Sequence, residues 1–196
     1  PSSSVIRQMG DKITAKDLAE KSNIPIVPGY RGVLPTEEHE VKEVAAGVGY
    51  PLMIKASAGG GGRGMRVVQD ESELCSAIQL TQQEAKNAFG NDTLYLEKFI
   101  QNPRHIEIQI VADGKGKAIH LGTRDCSMQR RHQKIIEEAP AQDVNLIELD
   151  KTMEACLNLC RSLSYSGVGT IEFLYEDNKF YFIEMNTRIQ VEHPVS

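Results

Sequence analysis

Leu52-Met53-Ile54-Lys55-Ala56-Ser57-Ala58-Gly59-Gly60-Gly61-Gly62-Arg63-Gly64-Met65-Arg66-Val67-Val68 is the stretch on which the reading of the fold turns. Two short runs of strand character, Leu52–Lys55 and Met65–Val68, flank a loop made almost wholly of glycine. Gly59, Gly61 and Gly64 formally satisfy the GxGxxG dinucleotide fingerprint, but that motif requires a helix to open at the loop, and a strand follows here. No Gly-Lys-Ser/Thr follows either, which excludes a Walker P-loop. What remains is a strand–glycine loop–strand flap, whose backbone N–H groups can wrap a phosphate with no Cβ in the way. A plain surface hairpin would accept the same entropic cost for nothing but a connection. Lys55 ends the entering strand and places an ammonium beside the loop as a point charge for phosphate oxygens.

Outward from the flap, Thr36-Glu37-Glu38 opens a helix that Gly47–Gly49 ends. A helix over about Glu71–Phe89 and a strand over Leu94–Lys98 follow. This β-α-β-β-α-β order suits a small lobe. Before it, Asp11–Ser22 predicts an amphipathic helix with Ile13, Leu18 and Ala19 on one side, and Ile24–Gly29 an extended segment closed by breakers. After it, Ile106-Glu107-Ile108-Gln109-Ile110 alternates strictly, as a half-buried antiparallel strand does. Lys117–Leu121 should pair with it across the Asp113–Gly116 turn, and a helix over about Leu146–Leu163 leads to a hairpin, Gly169–Tyr175 and Phe180–Met185, turned at Asp177-Asn178. The expected class is α+β with mostly antiparallel sheets.

The chain has 196 residues, 40% of them hydrophobic and 25% charged, with a net charge of −5. That is the composition of a globular protein able to bury a core without disulfide or metal staples. No apolar run is long enough to span a bilayer and no signal-like segment opens the chain. Mild acidity counts against a nucleic-acid partner. Cys75, Cys126, Cys156 and Cys160 form no metal-binding spacing; Cys156 and Cys160 share a helical face as small core hydrophobes, which favours a reducing compartment. The start at Pro1 and the stop directly after a dense polar motif suggest a piece of a longer chain.

Glu172 and Glu184 lie on the two strands of the last hairpin. Alternation places Glu172 opposite Ile171 and Phe173, and Glu184 on the face of Phe182 and Asn186. A three-residue loop centred on Asn178 makes the glutamates cross-strand partners. Like charges so placed are destabilising unless a cation lies between them, and two carboxylates with an amide oxygen suit Mg²⁺. In the terminal string Asn186–Pro194, Arg188 offers a planar fork for an oxyanion and Glu192 a base, while His193 reads as structural. Arg124–Lys134 is a basic run interleaved with Gln and His. Charge runs are usually solvated, but here the amides add hydrogen-bonding specificity suited to a small anion or nucleotide.

Met9–Lys12, Ile54–Ser57 with the glycine flap, Pro103–Glu107, Arg124–Lys134, Glu137–Pro140 and Glu184–Pro194, in this order and spanning almost the whole chain, resemble the biotin carboxylases of the ATP-grasp family. That family serves acetyl-CoA, propionyl-CoA, methylcrotonyl-CoA and pyruvate carboxylases. The resemblance implies an ATP-grasp fold, a small lid lobe plus an antiparallel-sheet lobe, truncated at both ends. It would divide into a leading helix and linker (1–25), a lid subdomain with the flap (26–99) and the first part of a C-terminal subdomain (100–196). By the same resemblance ATP contacts fall to Lys12, Lys55, Gly61, Gly62, Glu97, Lys98, Phe99, Ile100, His105, Gln129, His132, Glu172 and Glu184, with Glu97–Ile100 as the adenine hinge. Glu172, Glu184 and Asn186 match ligands of Mg²⁺ or Mn²⁺. Lys134, Arg188, Gln190 and Val191 match the bicarbonate site; Arg188, Glu192 (the base) and Lys134 match catalytic positions.

The implied reaction is attack of bicarbonate on the γ-phosphate of ATP to give carboxyphosphate, whose breakdown delivers CO₂ to biotin on a carrier. Implied partners are a biotin carboxyl carrier protein or domain, a carboxyltransferase and, for the full-length parent, a second copy; neither nucleic acid nor membrane is expected. The compartment would be the cytoplasm, or the mitochondrial matrix in a eukaryote. Another ATP-grasp carboxylate ligase would share the flap and metal pair but lack the Arg124–Lys134 and Glu184–Pro194 strings. A truncated ATP-binding piece without turnover is the remaining alternative.

Overall fold

The computed structural model describes residues 1–30, 32, 34–58, 63–131 and 133–196, which fall into two compact units, 27–101 and 1–26 with 102–196. In the first, β1 (Gly29–Tyr30), α3 (Glu38–Val48), β2 (Leu52–Ala56), β3 (Met65–Val68), α4 (Glu71–Phe89) and β4 (Leu94–Lys98) give the β-α-β-β-α-β order. Their antiparallel sheet runs β1-β4-β2-β3. Leu74, Ala77, Thr81 and Ala85 recur at helical spacing on α4 and are all buried, the apolar ones against Leu52, Ile54, Val68 and Leu96 of the sheet. Asp70 caps α4, accepting from the Ser72 backbone N–H at 2.9 Å, and left-handed Gly90 closes it. Glu37 precedes α3 without a side-chain cap, so the Thr36-Glu37-Glu38 signal marks the boundary rather than a capping bond.

In the other unit α1 (Ser3–Gly10) and α2 (Lys12–Lys21) precede β5 (Arg104–Asp113), β6 (Ala118–Asp125), β7 (Gln129–Arg130), β8 (Gln133–Lys134), α5 (Leu146–Ser162), β9 (Ser166–Glu176) and β10 (Lys179–Asn186). The sequence reading missed α1. Its signal is Ser2, which accepts from the Val5 N–H, with Val5 and Met9 buried one turn apart; Asp11 ends α1 and caps α2 through Thr14 N at 2.8 Å. On α2 the buried residues are Ala15, Lys16 and Ala19, while Ile13 and Leu18 are half-buried, so the buried stripe is rotated from the expected one.

The antiparallel sheet of this unit runs β10-β9-β5-β6. Its core joins Ile106, Ile108, Ile110, Ile171, Phe173, Phe180 and Phe182 with α5, where Cys156 and Cys160 are buried and burial pushes the Cys160 thiol up to about 12. With α1, α2 and α5 against one face, the opposite face is left to β5, β9 and β10 side chains of the other parity.

The last hairpin differs from expectation in a way that matters. Asp177 and Asn178, at φ 50° and 60°, make a two-residue turn, so Lys179 pairs with Glu176. That register would set Glu184 off by one, but a bulge between Phe182 and Glu184 restores it, and Glu184 pairs with Glu172. The bulge also breaks the alternation: Phe182 is in the core with Met185, and Glu184 lies on the other face with Asn186, not with Phe182.

Candidate active site

Register brings four charged residues into one row across the sheet. Arg124 on β6 pairs with Glu107 on β5, Glu107 with Glu172 on β9, and Glu172 with Glu184 on β10. The neighbouring row holds Gln109, Thr170 and Asn186. The strict alternation over Ile106–Ile110 predicts a half-buried strand, with Glu107 and Gln109 sharing the polar face. Both are buried instead, Glu107 at 0% exposure. The polar face is covered by the short β7–β8 hairpin, which delivers Lys134, and by the segment after β10, which delivers Gln190 and Glu192. Arg124 is likewise 0% exposed, so the first residue of the basic run is interior while Arg130 and Arg131 are exposed.

Adjacent carboxylates without solvent demand cations. Lys134 Nζ meets Glu107 Oε1, Glu172 Oε1 at 3.0 Å and Glu192 Oε1 at 2.9 Å. His105 Nε2 lies 3.1 Å from Glu107 Oε1 and 3.3 Å from Glu172 Oε2. Arg124 donates from Nε and Nη2 to Glu107 Oε2 at 3.1 and 2.9 Å. Burial opposes charge on His105, but hydrogen bonds to the two glutamates outweigh it and hold the imidazole up at about 9. Burial likewise works against the Glu172 carboxylate, and His105 and Lys134 bring it down to about 2. Glu192 and Glu107 are lowered against their own desolvation, chiefly by Lys134 and His105 respectively, and Lys134 is raised by its three glutamates despite burial. Glu107, Glu172 and Glu192 are thus balanced by Arg124, Lys134 and a protonated His105.

Glu184 stands outside that balance. Among the described residues its carboxylate takes no hydrogen bond or ion pair, although it sits directly opposite Glu172. Asn186 donates from Nδ2 to Glu172 Oε1 at 2.8 Å. A like-charged pair with one member uncompensated, beside an amide oxygen, fits a hard divalent cation with oxygen ligands. His105, Glu107 and Glu172 also bring one ligand atom each within 4.8 Å of one another. There the imidazolium and Lys134 already fill the space between the carboxylates, so that cluster is a salt-bridge network.

Gln190 is buried, donating from Nε2 to Glu172 Oε1 at 3.2 Å, whereas Val191 is 90% exposed. Arg188 is exposed, and its one hydrogen bond among the described residues runs from Nη1 to its neighbour's carbonyl, Ile189 O, at 3.1 Å. Gln129 is half-buried and donates to Cys126 O at 2.8 Å; Lys12 is half-buried at the start of α2. In the unit 27–101, Lys55 Nζ lies 2.6 Å from Glu97 Oε2, and Lys98 Nζ donates to Tyr50 O at 2.8 Å. Phe99 and Ile100 follow β4 and are half-buried. Gly61, Gly62 and His132 lie outside the described residues, as does most of the proposed flap. Its far end, Gly64, has φ +71°, and a Cβ there would meet Ala56 Cβ at 2.9 Å. Glu107, Gln109 and Thr170 were given no role from sequence and Arg124 only a place in the basic run, although a Glu-x-Gln alternation followed by an arginine on the partner strand was the available signal.

The sequence matches the family described as the carbamoyl-phosphate synthase L chain, ATP binding domain, over residues 11–196, and the chain belongs to that family. It is 57% identical over 196 residues to the biotin carboxylase of Pseudomonas aeruginosa, covering 100% of this chain and 44% of that one. It is 53% identical over 198 residues to the chloroplastic biotin carboxylase 2 of Populus trichocarpa, covering 100% and 37%. The fold is that of solved ATP-grasp structures. A biotin carboxylase–β,γ-ATP complex from Campylobacter jejuni superposes with a TM-score of 0.89 at 49% identity, over 97% of this chain and 43% of that one. The biotin carboxylase domain dimer of 2-oxoglutarate carboxylase from Hydrogenobacter thermophilus, in complex with MgADP, ADP and bicarbonate, gives 0.89 at 45%, over 97% and 42%. The chain therefore spans less than half the length of these relatives.

Proposed function

We propose that the chain forms the nucleotide-, metal- and bicarbonate-binding core of a biotin carboxylase, which uses ATP and bicarbonate to carboxylate biotin on a carrier. The observation that carries this reading is the charged row ending in the uncompensated Glu184, with Lys134, Gln190 and Glu192 gathered over it. Glu172, Glu184 and Asn186 would hold Mg²⁺ or Mn²⁺, which neutralises charge on the phosphates during phosphoryl transfer. Lys134, kept cationic by three glutamates, is a fixed positive charge for bicarbonate. Arg188, with most of its fork uncommitted, suits the planar anion. Glu192 is ionised at neutral pH and able to accept the bicarbonate proton, and its pairing with Lys134 fixes its direction. Removing that proton makes the oxygen nucleophilic toward the γ-phosphate. Val191 joins this site by its place in the string.

ATP is assigned to Lys12, Lys55, Gly61, Gly62, Glu97, Lys98, Phe99, Ile100, His105, Gln129 and His132, with Glu172 and Glu184 through the metal. The parent protein would work with a biotin carboxyl carrier and a carboxyltransferase, as a homodimer, in the cytoplasm or the mitochondrial matrix. No described helix is long and apolar enough to cross a membrane. The test is ADP release by the full-length protein with free biotin as acceptor. Turnover should require ATP, Mg²⁺, bicarbonate and biotin together. Hydrolysis indifferent to both biotin and bicarbonate would overturn the reading.

A further inference from the structure

We propose that Arg124 is a positioning residue that fixes the orientation of the Gln190 amide, so that its NH₂ rather than its oxygen faces Glu172 and the bicarbonate site. The inference rests on the proposed function for the identity of the anion, though not for the amide orientation. Arg124 has a far larger set of partners than charge balance requires. Glu107 already has Lys134 on Oε1, so a second cation on Oε2 needs only one contact. Arg124 instead extends Nη1 to Gln109 Oε1 at 2.6 Å and to Ser196 Oγ at 2.6 Å, and Nη2 to Thr170 Oγ1 at 3.1 Å and Gln190 Oε1 at 3.2 Å.

A guanidinium only donates. Whatever amide meets it must therefore present oxygen, and the NH₂ must point the other way. For Gln190 that other way is Glu172 Oε1, at 3.2 Å, an acceptor-only carboxylate. Turning the amide over would set NH₂ against guanidinium and oxygen against carboxylate, two unfavourable contacts at buried atoms. Gln109 is locked by the same logic: its oxygen takes Arg124 and Thr170 Oγ1, and its NH₂ donates to Gly169 O at 2.9 Å. The pair Glu107 and Arg124 is thereby a frame that gives the amide over the candidate site a single hydrogen-bonding polarity. The second proton of the Gln190 NH₂ has no protein acceptor among the described residues, which leaves it for an anion. Lysine could keep the charge next to Glu107 but not the fork that reaches two neighbouring strands and the terminal segment.

The experiment is a double-mutant cycle in the full-length protein with Arg124→Lys, Gln190→Ala and both. Arg124→Lys should lower kcat/KM for bicarbonate by about 10–100-fold, the range for groups that orient a ligand-binding side chain. KM for ATP should stay near wild type, and the double variant should be no worse than Gln190→Ala. Losses that multiply, or that fall equally on ATP, overturn the proposal. If Arg124→Lys does not fold, Gln190→Glu serves: it keeps the acceptor for Arg124 but cannot donate to Glu172. It should lose at least as much bicarbonate kcat/KM as Gln190→Ala, and wild-type kinetics in Gln190→Glu would contradict the donor role. A wild-type protein without bicarbonate-dependent turnover sinks the functional reading alone. The orientation is then read from the Gln190 side-chain amide resonances, assigned by their loss in Gln190→Ala. They should move in Arg124→Lys, and resonances that stay in place overturn it.

Discussion

At the scale of the residue, Glu184 and Arg188 are legible in opposite ways. Sequence spacing pointed to Glu184 as the partner of Glu172, but only the structure distinguishes the two: Glu172 is buried among cations, and among the described residues Glu184 has none. In the metal-free chain a second carboxylate opposite Glu172 is a liability. Glu184→Gln should raise the Tm of the metal-free protein slightly, by the equivalent of about 0.2–1 kcal/mol for relieving a like-charge cross-strand pair. The same variant should abolish the extra stabilisation that Mg²⁺ with ADP gives the wild type. Melting curves with and without Mg·ADP check both, and a wild-type Mg²⁺ response in the variant would remove Glu184 from the ligand set. Arg188 lies beyond Asn186 and, among the described residues, holds no other charged group. Arg188→Ala should therefore lose roughly 2–4 kcal/mol of transition-state stabilisation in carboxylation, as when an oxyanion donor is removed. Nucleotide affinity should change little; its collapse would make the arginine a nucleotide or structural residue.

At the scale of the element, what was legible followed periodicity and punctuation. α4 carries a strong period and clear caps, and its bounds, like those of β4, agree with the sequence reading. α1 was invisible because its signal is one serine cap and two buried apolar residues in a short segment. The face of Glu184 was misread because a bulge leaves no mark in a pattern of period two. Only the packing of Phe182 and Met185 on one side reveals where the alternation slips. Ile183 is the extra residue of the bulge, so deleting it should leave Phe182 opposite Phe173 and Glu184 still opposite Glu172 in a regular ladder. The deletion variant should keep Mg²⁺-dependent stabilisation, as should Asn178→Gly, which suits the positive φ, and its loss on deleting Ile183 would show that the bulge itself is needed to hold Glu184 in place. The buried polar face of β5 was misread for a related reason: alternation tells which residues share a face, not what covers that face.

At the scale of the whole molecule, the class and the motifs were open to reading because they are local strings, whereas the charge balance was not. Arg124 and Glu107 meet through register, and Lys134 and Glu192 reach them only because the β7–β8 hairpin and the segment after β10 fold over the sheet. That balance gives the metal-free chain a defined pH profile. The His105 pKa is raised from 6.5 to about 9, so its contribution is complete below 6.5 and is lost as pH climbs through 9. Glu172 is lowered from 4.5 to about 2, so its contribution is present above 4.5 and is lost as pH falls through 2. The two residues share one contact, so these are the two limbs of a single bell with its plateau between 4.5 and 6.5. The alkaline limb corresponds to about 3 kcal/mol as an upper bound, given that Glu107, Glu172, Lys134 and Glu192 all face the same space. His105→Gln, which keeps a donor without a titrating charge, should lower stability at pH 6 and flatten the decline between 6.5 and 9. Tm measured across that range in both proteins decides the matter. An undiminished alkaline decline in the variant would assign the limb to another group and leave His105 neutral between its two glutamates.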